Sequence, residues 1–177
     1  MLELVIAMAI MTIILAIAYP NYSSYMEKYR LKCDAQQIYS LQQQAKMLAI
    51  KTHKNIKVFF NTSSDPQSVI IYSDKGPNNS WDNGGDDVVY STYSFYPSNC
   101  YGHGDASINA TKSSGTYFAT DSVTHSSNSI GFNTMGSVNP PSGYVYIQNR
   151  VSQTYAIGTL APTGIIRISS WAETAWR

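Results

Sequence analysis

The side chains best suited to chemistry are few and widely spaced. Three histidines (His53, His103, His125) and two cysteines (Cys33, Cys100) are scattered over 177 residues. A metal centre needs several such ligands converging on one point. The run Cys100-Tyr101-Gly102-His103 lacks the second cysteine that a haem-attachment motif or a zinc knuckle requires. No Gly-x-Ser-x-Gly or His-Glu-x-x-His is present to pair a nucleophile or a metal with a base. No catalytic residue and no cofactor are therefore assigned, the expectation is a non-enzyme, and each histidine is read as a surface residue. The densest set of oxygen donors is Asp82-Asn83-Gly84-Gly85-Asp86-Asp87. Asp82, Asp86 and Asp87 are minor candidates for holding a hard cation, but the spacing is not that of an EF-hand, and a solvated turn is expected. Outside the cell an even cysteine count favours a disulfide between Cys33 and Cys100; two unbonded thiols are the alternative.

Glu3 is chemically the most conspicuous residue. From Met1 to Tyr19 only Glu3 and Thr12 are not hydrophobic. A carboxylate in such a run is costly unless it is paired or protonated. The nearest basic side chain, Lys28, lies roughly 37 Å along a helix at 1.5 Å per residue. The cation within reach is an N-terminal amine, of this chain or of a neighbour.

The elements around Glu3 follow from hydrophobic patterning. Residues 1–19 approach the ~20 apolar residues that span a bilayer as a helix. A secretory signal would need a basic start, and here an acid stands in that place. Pro20 lacks an amide donor and crowds the preceding turn, so a kink or a short non-helical stretch is expected there. Beyond it Leu31, Ala35, Ile38, Leu41, Ala45 and Leu48 recur on one helical face. Tyr22, Tyr25, Tyr29 and Cys33 fall on nearly the opposite face. Two stripes imply two partners: the chain's own domain for the first, a neighbouring chain for the tyrosines, which are stiff amphipathic contact residues. A helix to Thr52 would be roughly 78 Å long, so part of it must protrude. Because Cys33 lies on the tyrosine face, a bridge to Cys100 requires the loop around Cys100 to wrap the helix edge.

The rest of the chain reads as β. Expected strands are 57–60, 69–72, 88–95, 106–110, 116–119, 129–133, 144–148, 155–158 and 165–169, separated by Gly/Pro/Asn/Asp clusters. The fold class is α+β: a long N-terminal helix packed on an antiparallel β-sheet or sandwich. Three regions follow: an apolar helix for membrane or filament core (1–22), its amphipathic continuation (23–54) and a β-rich globular domain (55–177). A formal net charge of +1 argues against nucleic acid as a dedicated partner.

The N-terminal 50 residues resemble type IV pilins and type II secretion pseudopilins. Mature members of that family typically begin Phe-Thr-Leu-Ile-Glu-Leu, then an apolar helix, then a proline and a tyrosine. Met1-Leu2-Glu3-Leu4 matches the last four of those six, with Pro20 and Tyr22 at the family's spacing. The first two family residues and a leader are missing, so Met1 is not expected to be the mature end. Thr12 stands where the family often has glycine. The elements Phe132-Asn133-Thr134-Met135-Gly136 and Gly164-Ile165-Ile166-Arg167 are similar, the second imperfectly, to the GspH/FimT subgroup. The resemblance implies a structural subunit of an extracellular pilus-like filament, held in the inner membrane before assembly. Its partners would be copies of itself and a pilus or secretion assembly machinery. It also implies a methylated N-terminal amine pairing with Glu3. The implied assembly residues are Glu3, Leu4, Ile6, Ile10, Ile13, Ile14, Ile17, Pro20, Tyr22, Tyr25 and Tyr29. Alternatives are a secretion pseudopilin, or a FimT-like tip pilin contacting DNA, for which only Arg150, Arg167 and Arg177 speak.

Overall fold

The computed structural model describes residues 2–110, 122–138 and 142–177. A single helix, α1 (Leu2–Thr52), leads the chain. Its second half carries the expected stripe. Leu31, Ala35, Ile38, Leu41 and Ala45 are buried, joined by Asp34, Gln42 and Ala49. The helix stops where His53 turns into the left-handed region at φ 52°, a residue type seldom used for a task usually given to glycine.

The expectation at Pro20 is corrected in part. No non-helical residue separates the two halves, and the helix is continuous through the proline. Proline removes one amide donor, and the turns on either side keep theirs. Asn21 adds a side-chain donor to the Ile17 carbonyl at 3.4 Å.

Among the described residues nine strands form two antiparallel sheets. The first has the order β3-β2-β1-β5, from β1 (Ile56–Asn61), β2 (Ser68–Asp74), β3 (Val88–Ser94) and β5 (Ser129–Phe132). The second has the order β4-β6-β7-β8-β9, from β4 (Asn99–Tyr101), β6 (Gly143–Asn149), β7 (Thr154–Leu160), β8 (Ile165–Ala172) and β9 (Ala175–Trp176). In β1, Ile56, Val58 and Phe60 turn inward and Lys57 and Phe59 outward, the period-2 alternation of a sheet with one covered face. The helix stripe packs on both sheets, against β1, β2 and β5 of the first and β6, β7 and β8 of the second. The core therefore lies in the wedge between one helix and two sheets, filled by Leu31, Ile38, Val58, Phe60, Ile71, Phe132, Ile147 and Ile157.

A smaller cluster forms on the outer face of the second sheet, where Tyr144, Tyr146 and Ala156 meet Trp176 and Ala110. Gly158 makes room there, since a Cβ at that position would run into the Tyr144 ring. The strand expected at 106–110 is absent. That segment is bound by side chains instead: Trp176 donates to the Ile108 carbonyl at 2.6 Å and the Ala110 amide donates to the Tyr146 hydroxyl at 3.1 Å. The strand expected at 116–119 lies outside the described residues. Two short strands, β4 and β9, carry too few apolar residues to stand out in the sequence.

Candidate assembly surface

Every described residue from Leu2 to Tyr25 is exposed, a length of roughly 36 Å at 1.5 Å per residue. The apolar side chains point in all directions: Leu4, Ile6, Ile10, Ile13, Ile14 and Ile17 are 51–67% exposed. A helix that is apolar all round belongs in a membrane or in a protein core, and this one is long and apolar enough to cross a bilayer. Its polar groups are largely satisfied from within. The Thr12 hydroxyl donates to the Met8 carbonyl at 2.8 Å, so that hydroxyl needs no outside partner. Glu3 differs: among the described residues its carboxylate has no ion-pair partner.

Tyr22, Tyr25 and Tyr29 continue the exposed surface toward the domain, at 64%, 64% and 52% exposure. Beside them Arg30 sits over the Tyr96 ring, 5.9 Å from its centroid. The structure thus sets all eleven expected assembly residues, Pro20 included, on one protruding segment.

The junction between that segment and the domain rests on a residue that sequence reasoning did not single out. Asp34 is fully buried. It accepts hydrogen bonds from the Tyr93 hydroxyl (2.5 Å), the Asn99 amide (2.6 Å) and the Tyr96 backbone N–H (3.2 Å). These three donors flank the turn that carries the chain from β3 in the first sheet to β4 in the second. Burial raises the Asp34 carboxyl above its ordinary range, and the three hydrogen bonds oppose the rise. One signal was legible: Asp34 is the sole acid between Lys28 and Lys57, and it adjoins the apolar stripe.

The remaining candidates stand apart from this surface, except Cys33, which adjoins Tyr29 on the same helix face. Cys33 and Cys100 are unbonded and half-buried. Cys100 points to the opposite side of β4 from Asn99 and Tyr101, where the Gln148 amide lies 3.6 Å from its sulfur. The aspartates of 82–87 close their own loop. Asp87 Oδ2 accepts from the amides of Asp82 and Asn83 at 3.0 and 2.9 Å, and Asp86 accepts from the Asn78 amide at 3.0 Å. Among the described residues no group of three metal-ligating side chains converges. His125 is corrected from surface to core: it is 4% exposed and stacks on Phe60, 5.8 Å between ring centres. Its neighbours in sequence are serines and threonine, so nothing local announced the burial.

A long helix, half embedded against two antiparallel sheets and half projecting as an apolar rod, defines a pilin-like α+β fold. Among solved structures the chain is similar to the minor pseudopilin EpsH from the Type 2 Secretion System of Vibrio cholerae. The TM-score is 0.50 and the identity 12%, over 80% of this chain and 97% of that one. At that identity the likeness is one of fold. No protein-family model matches the chain, and no curated protein does.

Proposed function

We propose that this protein is a structural subunit of an extracellular type IV pilus-like filament. It is held in the inner membrane by the apolar half of α1 and polymerises with copies of itself once extracted. The observation that carries the reading is the exposed run from Leu2 to Tyr25, with a single carboxylate that has no ion-pair partner among the described residues. Each large aliphatic side chain buried there contributes about 1.5–3 kcal/mol. A dozen such contacts outweigh any exposed ion pair, which is worth about 1 kcal/mol at most.

Glu3 would meet the N-terminal amine of an adjacent subunit, methylated or not. That pairing neutralises the carboxylate and sets the axial register of the incoming chain. A second reading, a minor pseudopilin of the GspH/FimT type serving secretion, draws its support from the fold shared with EpsH. Both readings place the protein in the same kind of assembly and differ in how many copies a filament holds. The deciding experiment is electron microscopy of filaments sheared from cells, with mass spectrometry of their subunits. A filament made chiefly of this chain supports the first reading and trace amounts support the second. Its absence from all such filaments would overturn both.

A further inference from the structure

At the end of the rod away from the apolar tip, two adjoining cavities open on the outer face of the first sheet. One has a volume of about 390 Å³ and the other about 310 Å³, and they share Asn55, Lys75 and Trp81. Each sits at the small end of the roughly 300–1,000 Å³ range of ligand clefts.

A glycine forms part of the floor of the first cavity. Gly131 in β5 pairs with Lys57 in β1, so both look outward from the sheet. A Cβ at 131 would meet nothing within 4 Å, and the backbone there is not left-handed. A strand glycine with open space above it marks a place where another molecule can approach the backbone closely. Trp81 forms the wall between the two cavities, with the Lys57 ammonium 5.9 Å from its ring centre.

The polar groups around this wall are of mixed sign and partly uncommitted. Among the described residues the Lys75 ammonium has neither an ion pair nor a hydrogen bond, although its backbone amide donates to Asp74. Asn133 spends its carbonyl oxygen on the amides of Met135 and Ser137, which leaves its NH₂ to donate outward. Asp74 lines the second cavity and is paired with Lys54 at 2.5 Å. We infer that the paired cavities bind a carboxylate-bearing sugar, such as a uronic acid unit of a polysaccharide, with its ring against Trp81 and its carboxylate at Lys75.

The chemistry favours a sugar over a nucleic acid strand. A sugar ring presents an apolar C–H face to the electron-rich face of an indole. Its hydroxyls both donate and accept, so they serve an aspartate and an asparagine NH₂ alike. Phosphodiester oxygens only accept, so they offer the Asp74 carboxylate no donor, whereas a uronic acid unit sets its carboxylate at Lys75 and keeps hydroxyls free to donate to Asp74. The site requires no polymerisation, and it stays accessible when the apolar half of α1 is in a membrane.

The test is isothermal titration of the full chain in detergent micelles with trigalacturonate, maltotriose and oligothymidylate. Saturable binding of trigalacturonate at about 1 mM or tighter is expected, with maltotriose weaker by about tenfold. Trp81→Ala and Gly131→Val should each weaken trigalacturonate binding by more than about tenfold, the second by crowding the floor of the first cavity. Lys75→Gln should weaken trigalacturonate and leave maltotriose unchanged. Circular dichroism checks that Gly131→Val folds; if it does not, Trp81→Ala decides alone, since its half-exposed ring carries no core. Absence of saturable binding, binding indifferent to Trp81→Ala, or binding of oligothymidylate alone would each overturn the proposal.

Discussion

Asp34 and His125 are ionisable groups that the fold encloses, and they respond to pH in opposite senses. Replacing Asp34 by Ala would strand a tyrosine hydroxyl, an asparagine amide and a backbone N–H around an empty site. A loss of about 3 kcal/mol is expected, read from urea unfolding of the domain freed of residues 1–19. Asp34→Asn should lose less, because it retains one acceptor oxygen. Burial pushes the His125 imidazole down to about 4. A histidine whose folded pKa is depressed binds fewer protons folded than unfolded, so its contribution is complete above about pH 6.5 and is lost as pH falls toward 4. That window corresponds to about 3 kcal/mol at full extent. The raised carboxyl of Asp34 works the other way, losing stability as pH rises above its unfolded pKa. The histidine part is therefore read as the difference in pH slope between the wild type and His125→Gln, which should be flatter between pH 6.5 and 4. Glu3 belongs to the same scale. Glu3→Ala should leave the monomer folded and inserted but sharply cut filament yield at equal expression, with Glu3→Gln milder, because the amide keeps its hydrogen-bonding capacity. Filament counts on cells check this, and normal numbers from the alanine variant would remove the proposed pairing.

At the scale of the element, α1 divides by burial rather than by any break. Its first buried residue is Leu31, so a chain lacking residues 1–19 keeps every side chain of the core. That truncated protein should be a soluble monomer by sedimentation, with the unfolding midpoint of the intact domain. Filaments formed by it would show that the apolar half is not what polymerises. Pro20 sits in the exposed stretch, with helix continuous on both sides. Pro20→Ala restores the missing donor to the Ala16 carbonyl and removes the ring clash, which together cost about 3 kcal/mol in a helix interior. The substitution should raise helicity in micelles, measured by amide exchange at 16–21, and should leave the domain's stability unchanged.

At the scale of the whole molecule, a large part of the architecture was legible in the chain. The apolar run with one acid, the stripe from Leu31 to Ala45 and the alternation in β1 are local periodicities, and local periodicity survives in the fold because each element must present one face to a core. Reading the helix as one rod with two differently used halves required nothing beyond that. The segment at 106–110 misled because Ile108 and Ala110 give their backbone carbonyl and amide to the Trp176 and Tyr146 side chains rather than to a neighbouring strand. The division into two sheets had no local signature, since which strands pair is settled by contacts between residues far apart in the chain. The burial of His125 was equally invisible, and that of Asp34 was signalled only by its place beside the apolar stripe. A charge or an imidazole is enclosed only where distant partners satisfy or stack on it, as Tyr93 and Asn99 do for the first and Phe60 for the second. The cavity beside Trp81 arises in the same way, from a glycine on β5, a lysine on β1 and a loop indole that share no stretch of sequence. The sequence by itself determined the helix, most of the strands and the greasy, protruding end, because these depend on the order of neighbours along the chain. Only the tertiary structure decided which polar groups are buried and where the surface is hollow, because both depend on elements that meet after folding.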